Sequence, residues 1–104
     1  MQIQINTDKN VEGKERLVTF FASELKTELA RFDEKITRIE VHLGDENSDK
    51  FGLNDKRCLI ELRLAKKQPI AVTDFAESTE KSFYGALEKA KKLLDTTFDK
   101  MRDY

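Results

Sequence analysis

Hydrophobic and polar positions recur with two different periods along this chain, and the switches between them mark out its elements. Ile3 and Ile5 alternate with Gln2, Gln4 and Asn6, the pattern of a half-buried strand. The turn-rich NTDKN that follows offers Thr7, Asp8 and Asn10 as helix caps. From about residue 11 to 32 the period lengthens. Leu17, Phe21, Leu25 and Leu29 fall four apart, Phe32 follows three later, and Val18 fills the same stripe. At about 100° per residue these form one apolar face of an amphipathic helix, with Phe20 beside the stripe as a lateral packing residue. Gly13 weakens only the first turn.

Alternation returns over residues 36–73. Ile39, Val41 and Leu43 share one face of a strand, and Arg38, Glu40 and His42 share the other. DENSDKFGLND breaks the pattern and reads as a mobile hairpin loop, longer than the usual two to five residues or so. In the next strand Cys58, Ile60, Leu62 and Leu64 point inward, while Arg57, Leu59, Glu61, Arg63 and Lys67 point outward. Gln68-Pro69 makes a turn into a last strand over residues 70–75, with Pro69 where a missing N–H is tolerated. Ser78 or Thr79 then caps a second helix. Its Phe83, Leu87, Ala90, Leu94, Thr97, Phe98 and Met101 fall on one arc, and Lys81, Lys89, Lys92 and Lys100 on the opposite one. Gly85 and Thr96 lie within the lysine row, and Glu88, Asp95, Asp99 and Asp103 flank it. The order β-α-β-β-β-α predicts an α+β fold, a two-layer sandwich of one four-stranded sheet with two helices on one face and the other face open.

At 104 residues the chain is expected to form a single domain over 1–104. Charged residues make up 38% of it, against about 25% in an average domain, and hydrophobic residues another 38%. A folded protein with a heavily solvated surface is the expectation. Neither a membrane span nor a signal-peptide pattern is present, so the expected location is cytoplasmic, without membrane association. The single cysteine, Cys58, cannot form an intrachain disulfide and sits on an apolar strand phase.

Charge is uneven. Residues 55–67 carry Lys56, Arg57, Arg63, Lys66 and Lys67 against Asp55 and Glu61, a local +3 in a chain of net charge −1. Such a concentration favours a polyanion such as RNA over a small-molecule substrate. Enzyme signatures are lacking. His42 is the lone histidine on a solvent phase, short of the three or four ligands a metal needs. Glu40 and Glu61 facing one another as an acid/base pair is outweighed by ordinary pairing with Arg38 or Arg63. Serine and cysteine lack a nucleophile motif, and Gly44, Gly52 and Gly85 form no phosphate loop. The expectation is no catalytic residue, no cofactor and no metal.

Four segments, MQIQINTDKN, ITRIEVHLGDEN, NDKRCLIELRLAKKQPIAV and SFYGALEKAKKLLD, resemble in order and layout the ribosome hibernation promoting factor and ribosome-associated inhibitor family, also called the sigma-54 modulation family. The last is similar to that family's helix motif at Phe83, Tyr84, Ala86, Leu87 and Glu88. The resemblance, to the short form, implies a non-enzymatic translation inhibitor. It would bind the small ribosomal subunit and its rRNA in the decoding channel, and be a monomer off the ribosome. It implies RNA-binding roles for Lys56, Arg57, Arg63, Lys66 and Lys67, continued by Lys81, Lys89 and Lys92. The end departs from the family's basic tail: FDKMRDY carries Asp99 and Asp103, whose repulsion of phosphate would weaken a tail contact. Two alternatives stand beside this reading: a regulatory protein-interaction module of the same fold without RNA affinity, or a general double-stranded RNA binder, whose α-β-β-β-α order is contained here.

Overall fold

The elements form in the order β1 (Gln2–Thr7), α1 (Lys14–Glu28), β2 (Ile36–Asp45), β3 (Lys56–Leu64), β4 (Ile70–Ala76) and α2 (Thr79–Arg102), with a 3-10 turn, Ala30–Phe32, after α1. This computed structural model describes residues 1–9, 11, 13–45 and 55–102, with side chains as far as Phe98. The expected hairpin loop and the side chains of Asp99, Lys100, Met101 and Asp103 therefore lie outside the described residues.

The sheet order is β1-β2-β3-β4, with β1 parallel to β2 and the other neighbours antiparallel. The α+β sandwich expected from the periodicity is therefore observed. Helix α1 crosses from β1 to β2 and packs on β1, while α2 lies across β3 and β4. The two helices run side by side in one direction, linked by Tyr84 to Glu24, Lys91 to Glu28 and Asp95 to Arg31. Beneath these polar links Phe21 stacks on Phe83 with ring centroids 3.9 Å apart. Both rings are fully buried with Leu25, Leu94, Ile39, Ile60 and Leu62, joining each helix to the central strands. A side chain of this size contributes about 1.5–3 kcal/mol when buried.

Helix boundaries depart from the simple stripe. Gly13 is not in the first turn but at the N-cap, at φ 68, a conformation glycine adopts without a Cβ penalty. Neither Thr7 nor Asp8 serves as the cap: Asp8 instead accepts the Asp45 N–H at 3.1 Å and ties β1 to β2, and Asn10 lies outside the described residues. At the other end α1 stops at Glu28, and the tighter turn keeps Leu29 and Phe32 on the buried side. Ser78 does cap α2, its Oγ accepting the Lys81 N–H at 3.1 Å.

Two irregularities set the packing. Register between β2 and β3 shifts between Ile36 and Arg38. This bulge at Thr37, whose Oγ1 donates to the Arg63 carbonyl at 3.1 Å, turns Ile36 into the core although strict alternation would place it with Arg38. The second is the contact between β4 and α2. A Cβ at Gly85 would come within 1.9 Å of Asp74 Oδ2, so the glycine is what lets the strand's carboxylate seat against the helix.

Candidate nucleic-acid interface

Strand β3 and the turn after it place the expected cations in three different settings. Arg63 stands on the open face, with a guanidinium nitrogen 3.9 Å from Glu40. Lys66 and Lys67 are exposed in the turn beyond Leu64, where Lys66 takes φ 62, a left-handed conformation uncommon for a residue with a side chain. Among the described residues neither lysine has a carboxylate partner, and the same holds for Lys92 on α2.

Three of the expected cations are held by acids. Lys56 lies on the Cys58 phase and is bound by Asp55 at 3.0 Å and Asp45 at 3.3 Å. The hydrogen bond it donates to Asp55 holds its pKa above the ordinary lysine value, against a smaller opposing effect of burial. Lys81 pairs with Glu77 one turn before it and pulls that carboxyl below its usual range. Lys89 bonds Asp74 at 2.9 Å and the Thr73 carbonyl at 2.8 Å, reaching from α2 to the outer edge of β4. Arg57 extends over Gly44 beside Asp8: a Cβ on that glycine would meet Asp8 Oδ2 at 3.2 Å and Arg57 Nε at 3.9 Å. The eight residues thus divide into the end of β3 with its turn, the opposite end of β3, and a row on α2 beside the β4 edge.

The open face is a grid read from the strand register. Gln4, Glu40, Glu61 and Ala71 form one row; Asn6, His42, Leu59 and Thr73 the next; Gln2, Arg38 and Arg63 another; Gly44, Arg57 and Phe75 the last. Two like-charge pairs, Glu40 with Glu61 and Arg38 with Arg63, face each other directly, an arrangement that costs energy by itself. Opposite-charge contacts along and across the strands offset it. Glu40 lies 3.5 Å from Arg38, and His42 Nε2 lies 3.1 Å from Glu61. His42 is therefore half-buried with Glu61 and Asn6 as partners, not a bare surface residue. Glu40 pairs with arginines, as expected of an outward carboxylate.

Elsewhere the chemistry is sparse. Among the described residues no group of three or more histidine, cysteine or acidic side chains has the arrangement of a metal site, and no helix is long and apolar enough to cross a membrane. Burial, reinforced by the nearby Asp74 charge, pushes the Cys58 thiol up to about 12, where it is inert. Arg16, Leu17, Phe20, Glu80 and Tyr84 line a groove of about 490 Å³ between the first turns of α1 and α2. Partial burial, with help from Glu24, pushes the Tyr84 phenol up to about 12. Phe75, half-exposed on the open face, was missed in the reading of the sequence. Carrying strict alternation through β4 would have found it, since Ala71, Thr73 and Phe75 fall opposite in phase to Ile70 and Val72.

Comparison with known proteins agrees with the geometry. The family model described as sigma 54 modulation protein / S30EA ribosomal protein matches residues 3–103. The structure is similar to that of the Thermus thermophilus Protein Y N-terminal domain, with a TM-score of 0.71 at 14% identity, covering 93% of this chain and 99% of that one. It is also similar to a ribosomal subunit interface protein from Coxiella burnetii, with a TM-score of 0.64 at 18% identity over 100% of both chains. At such identities these two likenesses establish the shared fold. No curated protein matches the sequence at a significant level.

Proposed function

The chain belongs to the sigma 54 modulation protein / S30EA ribosomal protein family, and from that premise we propose that it is a ribosome-associated factor that inhibits translation by binding rather than by catalysis. Its target in this reading is the small subunit, where it contacts rRNA in the decoding channel, and off the ribosome it is a monomer. The observation that carries the reading is the group Arg63, Lys66 and Lys67. Whereas Lys56, Lys81 and Lys89 are held by acids, Lys66 and Lys67 stand exposed without a carboxylate partner among the described residues. Lys66 is held there in a left-handed conformation, a cost of about 1–2 kcal/mol that functional turns often carry. Lys92 extends the cationic surface on α2. Lys56, Lys81 and Lys89 contribute less, because phosphate must compete with their carboxylates.

Co-sedimentation with purified small subunits tests this directly. Reversing charge in the Arg63→Glu/Lys67→Glu double variant should abolish co-sedimentation. Wild-type affinity should fall log-linearly with salt, with a slope of roughly −0.7 to −0.9 for each phosphate neutralised. Undiminished binding by the double variant overturns the assignment. A second reading, a protein-interaction module, is favoured by the groove between Phe20 and Tyr84; loss of a partner in Phe20→Ala with ribosome binding absent throughout would select it.

A further inference from the structure

The two halves of the open sheet face differ in kind. Over β1 and β2 the face is polar and its groups are partnered: Arg38 bonds Gln2, Gln4 and Glu40, and His42 meets Asn6 and, on β3, Glu61. Over β3 and β4 it presents Leu59, Glu61, Ala71, Thr73 and Phe75, with Arg57 in register with Phe75 at one end and Arg63 near the other. Both helices lie on the opposite side of the sheet, so among the described residues no element covers this strip. Phe75 is 49% exposed. It adds nothing to the core.

The rim indicates what kind of ligand fits. Arg57 and Arg63 lie six positions apart on β3, about 20 Å at the usual rise per residue, and between them Leu59, Ala71 and Thr73 surround Glu61, whose carboxylate His42 Nε2 holds at 3.1 Å. Arg57 is set in position beside Asp8 over Gly44, where a larger residue would crowd both. A ligand that matches an exposed aromatic ring on a flat strip between separated guanidinium groups has exposed planar faces joined by negative charges. Unpaired RNA is such a ligand. A duplex is not, because its base faces are hidden in the stack.

We propose that the β3–β4 half of the open sheet face binds single-stranded RNA, with an unstacked base on the Phe75 ring and flanking phosphates at Arg57 and Arg63. This rests on the ribosome reading, since Arg63 serves both, and deepens it: the contacted RNA is unpaired on this face. The exposed aromatic then has a role that charge by itself does not explain.

Binding of a labelled single-stranded oligoribonucleotide of about ten nucleotides, followed by fluorescence anisotropy beside a duplex of the same length, tests the proposal. Phe75→Ala should weaken the single strand by between about fivefold and about a hundredfold, with little effect on the duplex. Its salt slope should equal that of the wild type, since no phosphate contact is removed. The chain has no tryptophan, so Phe75→Trp adds a single indole whose fluorescence the single strand should quench while affinity is retained. Thermal melts establish that both variants are folded. Wild-type affinity in Phe75→Ala, equal losses on single strand and duplex, or an unquenched indole each overturn the proposal. If Phe75→Ala is unaffected while Arg63→Glu/Lys67→Glu no longer sediments with small subunits, the stacking falls and the ribosome reading stands. If the wild type binds neither the oligonucleotide nor small subunits, both fall. Preference for anionic lipid vesicles or for a protein over RNA also overturns it.

Discussion

Gly85→Ala is the substitution for which helix propensity and tertiary packing make opposite demands. In an exposed helix interior, replacing glycine by alanine gains about 1 kcal/mol. Here the added methyl would lie 1.9 Å from Asp74 Oδ2 and 2.6 Å from its Cγ. Asp74 would have to swing away and release Lys89, whose Nζ lies 2.9 Å from the carboxylate. Overpacking typically costs about 1–3 kcal/mol, and so deep an overlap belongs at the upper end of that range. The partly exposed ion pair adds up to about 1 kcal/mol. Set against the helical gain, the net loss is about 2 kcal/mol, a fall in Tm of roughly 8–16 °C for a chain of this size. Circular dichroism melts measure it. In an Asp74→Ala background the obstacle is gone, and the same Gly85→Ala change should raise stability by up to about 1 kcal/mol. The coupling in the double-mutant cycle is then about 3 kcal/mol. A higher Tm for Gly85→Ala in the wild-type background would refute the close seating of β4 on α2.

Two further outcomes are expected. Leu62→Ala and Leu94→Ala, both fully buried, should each cost about 2–5 kcal/mol in urea unfolding, and unchanged midpoints would mean that the strand or helix phase is wrong. Raised native pKa values for Cys58 and Tyr84, each about 12 from 9.0 and 10.0, stabilise the protonated forms. Their contribution is complete below the unfolded values and is lost as pH rises from about 9 toward 12; an alkaline melt series showing no decline over that window would contradict it, as would rapid native alkylation of Cys58 at pH 8.

How much of this was legible in the sequence depends on the range of the interaction that decides each feature. Period-2 and helical patterns are local, so the order of elements and most of the core followed from them: Leu17, Phe21 and Leu25 on α1, Cys58, Ile60 and Leu62 on β3, and Phe83, Leu87 and Leu94 on α2 are buried as phased. The local signal failed where another element intervened. Ile36 reaches the core through a bulge specified by pairing with β3, and Asp8 serves β2 rather than a helix terminus.

By itself the sequence determined which cations could form a surface; only the tertiary structure decided which of them remain available. Lys56 and Lys67 look alike in the local charge count. Folding brings Asp45 across from β2 to Lys56, whereas Lys67 is left in an exposed turn. Lys81 and Lys92 share a helical row, yet Glu77 answers one, and among the described residues no acid answers the other. Lys89 is taken by Asp74 because Gly85 lets β4 approach α2. The physical reason is the short range of ion pairing in water: a charge is neutralised by whatever lies within about 4 Å of it. Asp55 and Glu77 are local partners, whereas Asp45 and Asp74 reach Lys56 and Lys89 from neighbouring strands only once the chain has folded.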